Sequence, residues 1–230
     1  MKYIAFIPAR GGSKRLPGKN IKLFCGKPLI YYSIIAALKS KFIQTVYVST
    51  DDNNISSISE SFGATVIRRP TELATDTATT SDALVHVMEL LKSKEIIFDG
   101  IVTLQPSNPL RELNLIDNTV QEFENNIENI DSLITVCENH HKLGRIVGNS
   151  YLPYSYKLEE RTQDIQKLYF ENGSVYITKS ETVAQEKSIF GNKIYPFITA
   201  RTFGEVDIDT QEDFEIGEII FNKYKNQLTY

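Results

Sequence analysis

The stretch that decides the fold is residues 3–20, YIAFIPARGGSKRLPGKN. Its apolar run, residues 3–7, predicts a short buried strand that ends at Pro8. The loop that follows contains three glycines and four cationic side chains, which are Arg10, Lys14, Arg15 and Lys19. Glycines allow tight turns whose N–H groups can face a bound anion, and cations offset its charge. We therefore expect this loop to bind a polyphosphate.

Two familiar phosphate-binding motifs are absent from this loop. It lacks the Gly-Lys-Ser/Thr order that ends a Walker loop. The adjacent Gly11 and Gly12 do not give the G-x-G-x-x-G spacing of dinucleotide-binding folds. The alternative is a solvated basic turn without a ligand, which would be less remarkable in a basic protein than in this chain, whose formal net charge is −4.

The composition predicts one globular core, because 41% of the 230 residues are hydrophobic and 23% are charged. The net charge of −4 argues against a nucleic-acid partner. No apolar run approaches the ~20 residues of a membrane span, and the N-terminus lacks the features of a signal peptide. Cys25 and Cys137 lie far apart without other metal ligands nearby. We therefore expect a cytoplasmic protein with reduced thiols and no membrane partner.

Short apolar runs alternate with amphipathic segments along the first 136 residues. This alternation predicts an α/β fold with a mostly parallel sheet and helices on both faces. The predicted strands are residues 3–7, 45–50, 64–67, 101–104 and 132–136, and the predicted helices are residues 28–39, 55–62, 80–91 and 113–123. Ligands of such folds bind at the C-terminal ends of the strands, where the glycine-rich loop begins.

The pattern changes after Val136. Residues 138–177 hold turn signals and short extended pieces, which predict a β-rich excursion from one domain spanning residues 1–230. A core strand at residues 173–178 and a last helix at residues 211–222 are also predicted. The polar tail after Lys223 is expected to fray.

Two acids, Asp207 and Asp209, precede the last predicted helix. Alternate residues of an extended segment point to the same side, and paired carboxylates suit Mg²⁺, which also takes phosphate ligands. The alternative is helix capping by Asp209 or Thr210, with further acids in the first turn. That alternative explains Asp209 better than Asp207, which lies outside the helix.

Two further segments near strand ends have polar side chains that could contact a substrate. Residues 104–111, LQPSNPLR, hold polar groups between two prolines, although Arg111 is better explained as a structural brace. Arg68 and Arg69 close a strand before a helix that begins near Thr80, and a helix N-terminus beside two arginines could bind an anion. A capping role for Thr79 or Thr80 is the simpler explanation.

The predicted excursion carries its own candidates. Lys142 and Arg161 could meet the carboxylate of an acidic substrate or could be surface charges. His140 and His141 are adjacent on an extended segment, so their side chains point to opposite sides, which argues against a shared metal. No Ser-His-Asp or Cys-His arrangement suggests nucleophilic catalysis.

Taken together, the motifs resemble those of the acylneuraminate cytidylyltransferases, also called CMP-sialic acid synthetases. The opening motif and residues 104–111 are specific to that family. The motifs occur in order over nearly the whole chain and are residues 7–20, 69–78, 104–111, 172–177 and 207–210.

The resemblance implies an activity and an architecture. The activity is transfer from CTP to an acidic nine-carbon 2-keto sugar, by in-line attack of the anomeric hydroxyl on the α-phosphorus, releasing pyrophosphate. The fold would be a Rossmann-like nucleotidyltransferase. A projecting β-rich element would form a homodimer and reach toward the neighbouring site, which matches the predicted excursion.

The resemblance also assigns roles by position in the sequence. Arg10, Ser13 and Lys19 would line the triphosphate, and Arg10 and Lys19 would stabilise the departing pyrophosphate. The residues that would help to hold cytidine are Asn20, Arg69 and Thr80.

Sugar and metal contacts follow in the same way. Gln105 would lie between nucleotide and sugar, and Arg161 would meet the sugar carboxylate. Asp207 and Asp209 would carry Mg²⁺, which stabilises developing charge and lowers the pKa of the attacking hydroxyl.

One position departs from the resemblance. Sialic acid enzymes often have an arginine two residues before the Asn-Gly pair, where this chain has Phe170. Legionaminic or pseudaminic acid is therefore as good a candidate substrate as sialic acid. Two alternatives remain: a transferase for the eight-carbon 3-deoxy-manno-octulosonate, whose opening loop usually differs, and a nucleotide-sugar-binding protein without catalysis, against which Lys19 and the acid pair argue.

Overall fold

Eleven strands and seven α-helices make up the protein in the computed structural model, which describes all of residues 1–230. The strands are β1 (Tyr3–Pro8), β2 (Leu23–Phe24), β3 (Lys27–Pro28), β4 (Ile43–Thr50), β5 (Thr65–Arg68), β6 (Gly100–Thr103), β7 (Ser132–Asn139), β8 (Gly144–Val147), β9 (Ser150–Pro153), β10 (Leu168–Lys179) and β11 (Ile194–Ile198). The helices are α1 (Leu29–Lys39), α2 (Asn53–Ser61), α3 (Thr80–Ser93), α4 (Leu115–Asn125), α5 (Ser180–Glu186), α6 (Arg201–Gly204) and α7 (Gln211–Tyr224).

Seven strands form the central sheet in the order β11-β7-β10-β6-β1-β4-β5. Strand β1 pairs in parallel with β4 and β6, and β4 pairs in parallel with β5. Strand β10 is antiparallel to its neighbours β6 and β7, because the chain returns from β7 to β10 without a crossover helix. The prediction of a mostly parallel α/β sheet is confirmed.

Helices cover both faces of this sheet, as the alternation along β1 requires. Ala5 and Ile7 belong to one core cluster, together with residues of α1 and α4. Ile4 and Phe6 belong to a second cluster, together with residues of α3. All four side chains are buried, because successive residues of a strand point to opposite faces.

The five helices predicted from the sequence lie within two residues of α1 to α4 and α7. The later part of the chain differs more. Strand β7 continues to Asn139 and β10 begins at Leu168, and these two residues pair with each other. The ends of the predicted 138–177 excursion therefore lie in the central sheet, and the projecting part is shorter. Its tip is the antiparallel hairpin formed by β8 and β9.

The prediction that the C-terminal tail frays is wrong. Leu228 is 2% exposed and belongs to a third core cluster with residues of α1 and α7. The hydroxyl of Thr229 donates to the carbonyl oxygen of Glu112 at 2.7 Å. The ring of Tyr230 lies 4.8 Å from that of Tyr32, centroid to centroid. The apolar side chains of the tail find partners that are distant in sequence, which its polar composition did not indicate.

None of the helices combines the length and apolar composition needed to cross a bilayer.

Candidate functional site

A polar cleft of about 460 Å³ opens at the C-terminal ends of β1 and β6. Four segments that are distant in sequence form its walls, and only two of its 17 lining residues are hydrophobic. Eight of the residues predicted to form the site line this cleft: Arg10, Ser13, Lys19, Asn20, Arg69, Thr80, Gln105 and Asp209.

The loop after β1 is held over the cleft by its own backbone. The N–H of Gly11 donates to Asp51 Oδ1 at 2.9 Å, and a Cβ at this position would lie 2.9 Å from the Cβ of Asp52. Only glycine permits this close approach. The amide of Asn20, which is 6% exposed, donates to the carbonyl oxygen of Arg10 at 2.9 Å. Asn20 thus fixes the loop, while its Oδ1 carries no hydrogen bond within the chain.

Carboxylates partner all four cations of this loop. Arg10 and Lys14 contact Asp76, at 3.1 and 2.5 Å. Arg15 Nη2 lies 2.7 Å from Asp209 Oδ2, and Lys19 Nζ lies 2.9 Å from Asp209 Oδ1.

These ion pairs leave the cations available to a ligand. Hydrogen bonding and charge from Lys14, together with Arg10, lower the pKa of Asp76 below its ordinary value of 3.8. Exposed pairs of this kind are weak, so a polyphosphate can compete for the cations. With four cations and two acids, the loop end of the cleft keeps a net positive charge.

Lys19 is the most deeply placed of the four cations. Its side chain is 15% exposed, and its Nζ also donates to the carbonyl oxygen of Ile208 at 2.8 Å. Lys19 therefore joins the first motif of the chain to the last, across 190 residues of sequence.

The acid pair lies outside the helix cap. Thr210 caps α7: its Oγ1 accepts from the N–H of Asp213, and Asp213 Oδ2 accepts from the N–H of Thr210. The capping alternative therefore applies to Thr210, and the carboxylate of Asp209 takes no part in it. Asp207 does not line the cleft but belongs to the same extended segment.

Asp207 and Asp209 are chemically suited to a hard divalent cation. Partial desolvation raises the pKa of Asp207 above its ordinary value of 3.8, and the charge of Asp209 raises it further. The positive groups around Asp207 therefore do not fully offset its negative charge. Its side chain remains accessible to solvent and so to an ion. The pair belongs to no group of three or more His, Cys, Asp or Glu residues. A bound Mg²⁺ would then take its other ligands from phosphate or water.

Arg69 is a buried cation at the end of β5. It is 8% exposed and donates to Ser49, from Nε to Oγ at 3.1 Å and from Nη2 to the carbonyl oxygen at 2.9 Å. Burial lowers its pKa to about 10, so the guanidinium stays charged at neutral pH. The N-terminus of α3 lies in the same wall, with Thr79 as its N-cap and Thr80 as its first residue.

A short hydrogen-bond chain orients Gln105. Tyr176 donates its hydroxyl to Glu171 Oε1 at 2.6 Å, so the hydroxyl oxygen acts as an acceptor for Gln105 Nε2 at 3.3 Å. The Oε1 of Gln105 is therefore free to accept a hydrogen bond in the cleft. Neither Glu171 nor Tyr176 was predicted to have a role, although the 172–177 motif contains the tyrosine.

Lys142 and Arg161 do not line the cleft. Lys142 Nζ donates to the carbonyl oxygen of Glu160, and Arg161 Nε lies 2.6 Å from Asp164 Oδ2. Both cations lie on the segment that β7 and β10 carry away from the sheet. The structure of one chain therefore does not bring them to the other predicted site residues.

Arg111 is the structural brace that its sequence context predicted. It is fully buried, and its guanidinium donates to the carbonyl oxygens of Ser174 and Gln105 at 2.9 Å and to Ser33 Oγ at 3.0 Å. The backbone at Gln105 is thereby fixed beside the cleft.

The family model for cytidylyltransferases matches residues 4–229. The chain belongs to the cytidylyltransferase family. The CMP-N,N'-diacetyllegionaminic acid synthase of Legionella pneumophila is 31% identical over 95% of this chain and 95% of its own length. The N-acylneuraminate cytidylyltransferase of Streptococcus agalactiae is 33% identical over 96% of this chain, which spans 54% of that relative. The resemblance seen in the motifs is confirmed.

Among solved structures, a CMP:2-keto-3-deoxy-manno-octonic acid synthetase complexed with CTP has a TM-score of 0.70. At 19% identity it covers 97% of this chain and 99% of its own. It supports the nucleotidyltransferase fold of this cytidylyltransferase family member.

Proposed function

We propose that the protein transfers the cytidylyl group of CTP to the anomeric hydroxyl of a nonulosonic acid, giving a CMP-sugar and pyrophosphate. The observation that carries this proposal is the contact between Lys19 and Asp209 at 2.9 Å. It brings a cationic, glycine-rich loop and an acidic segment to one cleft, as a nucleotide triphosphate with a divalent cation requires. The two relatives named above act, by their names, on sugars of this class.

The reaction forms a bond between the sugar oxygen and the α-phosphorus and breaks the bond from that phosphorus to the bridging oxygen of pyrophosphate. Arg10, Ser13 and Lys19 hold the triphosphate, and the two cations stabilise charge on the departing pyrophosphate. The attacking hydroxyl loses its proton to water, and the free Oε1 of Gln105 is an acceptor that can orient this hydroxyl.

Asn20, Arg69 and Thr80 are proposed to hold the cytidine. All three line the cleft, and Arg69 and Asn20 are buried. A buried polar group whose hydrogen-bonding atoms face a cleft gains most from a ligand that satisfies it.

Asp207 and Asp209 are proposed to hold Mg²⁺. The ion would neutralise phosphate charge and lower the pKa of the attacking hydroxyl. Asp209 would exchange its contact with the exposed Arg15 for the ion, since an exposed ion pair is easily broken.

A homodimer is the proposed assembly. The β8–β9 hairpin exposes large apolar side chains, including Ile146 at 80% and Val147 at 58%, which is typical of a surface that another chain covers. In such a dimer the segment between β7 and β10, which includes the hairpin, would carry Lys142 and Arg161 to the cleft of the partner, where they would meet the sugar carboxylate. A reaction that consumes CTP favours the cytoplasm, where we expect the protein.

The activity is tested by measuring pyrophosphate release from CTP in the presence of Mg²⁺ and one sugar acid at a time. The sugar acids are sialic, legionaminic, pseudaminic and 3-deoxy-manno-octulosonic acid. We expect release with one or more nine-carbon acids, because the two relatives named above act, by their names, on acids of this class. Preference for the eight-carbon acid would replace the proposed substrate class. No release with any sugar, together with CTP binding, would favour a binding protein without catalysis.

The first prediction concerns the proposed metal ligand. Asp209→Ala is expected to lower kcat by at least about a hundredfold, because the variant no longer holds the ion that would stabilise negative charge on the phosphates. Circular dichroism should remain that of the wild type. The matched control is Glu212→Ala, which removes an exposed acid in the first turn of α7. An Asp209→Ala enzyme with full, still Mg²⁺-dependent activity would move the metal elsewhere.

A further inference from the structure

Asn108 connects three segments that meet beside the cleft. Its side-chain Nδ2 donates to the carbonyl oxygen of Asn172 at 2.7 Å and to that of Val206 at 3.3 Å. Asn108 itself follows β6, Asn172 lies in β10, and Val206 opens the segment that carries the two acids. The side chain is 2% exposed, so these bonds form out of contact with water.

The space around Asn108 and the groups that line it suit an amide side chain and disfavour other side chains. Gly173 has φ +72°, and a Cβ there would lie 2.6 Å from Asn108 Oδ1. The Asn108 amide therefore occupies the space that a side chain at position 173 would need. A carboxylate in its place could not donate to either carbonyl oxygen and would be buried against both.

The acid segment depends on such bonds because it has no secondary structure. Residues 206–209 belong to neither a helix nor a strand. Their backbone is held at Val206 by Asn108, at Ile208 N–H by the carbonyl oxygen of Ser107 at 2.8 Å, and at the carbonyl oxygen of Ile208 by Lys19. These contacts lie on either side of Asp207 and fix where the backbone aims both acids.

We infer that Asn108 is a positioning residue that sets the geometry of Asp207 and Asp209 for a divalent cation. The inference rests on the proposed function, because it concerns the same metal. Asn108 acts through the carbonyl oxygen of Val206 and does not touch the substrate. Partners behind metal ligands typically change metal affinity by 10- to 100-fold when they are removed.

The test uses Asn108→Ala and the nearly isosteric Asn108→Asp, with Mn²⁺ as the metal probe. Electron paramagnetic resonance of free Mn²⁺ gives its dissociation constant in the absence and presence of CTP. Hydrogen exchange of peptides covering residues 205–210 reports how firmly the segment is held. We expect both variants to weaken Mn²⁺ binding by about tenfold and to speed exchange in that segment.

The control is Thr119→Val, which removes a fully buried hydroxyl that bonds only within α4. It should lower stability while leaving Mn²⁺ affinity and exchange at residues 205–210 unchanged. Wild-type Mn²⁺ affinity in either folded Asn108 variant would overturn the inference. Asp209→Ala separates the two proposals: if it also keeps wild-type Mn²⁺ affinity, the metal assignment fails, and if it alone loses binding, only the role of Asn108 fails.

Discussion

At the scale of single residues, Arg111 shows how a buried charge can be structural. The guanidinium donates to three acceptors on three segments and forms no salt bridge. Burial lowers its pKa from the ordinary value of 12.5, the direction expected of a desolvated cation. Removing the side chain would take one donor from each of these acceptors and leave a buried cavity, although the carbonyl oxygen of Gln105 would still accept from Ser33 Oγ. Loss of a buried hydrogen-bond partner costs more than a hydrogen bond gains.

We predict that Arg111→Ala lowers the free energy of unfolding by about 3 kcal/mol or more, because buried acceptors lose their donor. Arg111→Lys should not restore it, since one ammonium cannot span the fork of donors. Urea unfolding followed by circular dichroism measures the change. Arg201→Ala, which breaks only an exposed pair with Glu205, is the control and should shift stability by less than about 0.5 kcal/mol. If Arg111→Ala and the wild type unfolded at the same urea concentration, Arg111 would not be a structural brace.

At the scale of elements, two helices near the cleft begin in the same way. Thr79 and Asp82 exchange hydrogen bonds at the start of α3, and Thr210 and Asp213 do so at the start of α7. These capping boxes satisfy N–H groups that the first turn leaves free. They explain why the first residues of both helices could be predicted correctly from the sequence.

We predict that Asp82→Asn lowers stability at pH 7 by roughly 0.5–1 kcal/mol, the usual range for a lost cap contact. Hydrogen bonds from the N–H and hydroxyl of Thr79 lower the pKa of Asp82 below 3.8 in the folded state. Its contribution is therefore complete above pH 3.8 and is lost as the pH falls through the lowered pKa. Urea midpoints measured along a pH series should converge in acid for the wild type and Asp82→Asn.

The control for that series is Glu89→Gln, an exposed acid later in the same helix. It should follow the wild type at every pH. A difference between Asp82→Asn and the wild type that persists unchanged in acid would show that the carboxylate charge does not contribute.

For the molecule as a whole, the role of Arg161 depends on the proposed dimer of two chains. Arg161 lies outside the cleft of its own chain, so in the proposed assembly it serves the partner's cleft. Arg161→Ala should therefore raise KM for the sugar far more than KM for CTP. A larger increase in KM for CTP than in KM for the sugar would indicate that Arg161 contacts the nucleotide instead.

Mixing Arg161→Ala with Asp209→Ala tests this arrangement directly, at a sugar concentration far below the raised KM of Arg161→Ala, where neither variant alone turns over. A heterodimer of Arg161→Ala with Asp209→Ala contains one cleft in which both wild-type residues meet. Random exchange of subunits after unfolding and refolding together should restore about a quarter of wild-type activity, since half the dimers are mixed and each has one intact site. No recovery in verified heterodimers would mean that Arg161 does not act across the interface.

The cleft brings together eight of the residues proposed from the sequence, and this much of the candidate site could be predicted because these residues are local to recognisable motifs. The cationic loop, Gln105 and Asp209 line one cleft, and the motifs that contain them follow strands or precede a helix. The hydrogen bonds of Asn108 and the chain from Glu171 through Tyr176 to Gln105 could not be predicted. The bond from Asn108 to the carbonyl oxygen of Asn172, and the chain to Gln105, exist only after β10 is laid antiparallel between β6 and β7.

Five helices, the buried first strand, the glycine-rich turn and the family could all be read from the amino-acid sequence, since periodicity, caps and contiguous motifs are properties of neighbouring residues. Tertiary structure alone decided the length of β7 and β10, the packing of Leu228, the contact of Lys19 with Asp209 and the distance of Arg161 from its own cleft. These depend on strand pairing and on contacts across as many as 190 residues, and local preferences carry no information about which distant partner the chain will meet.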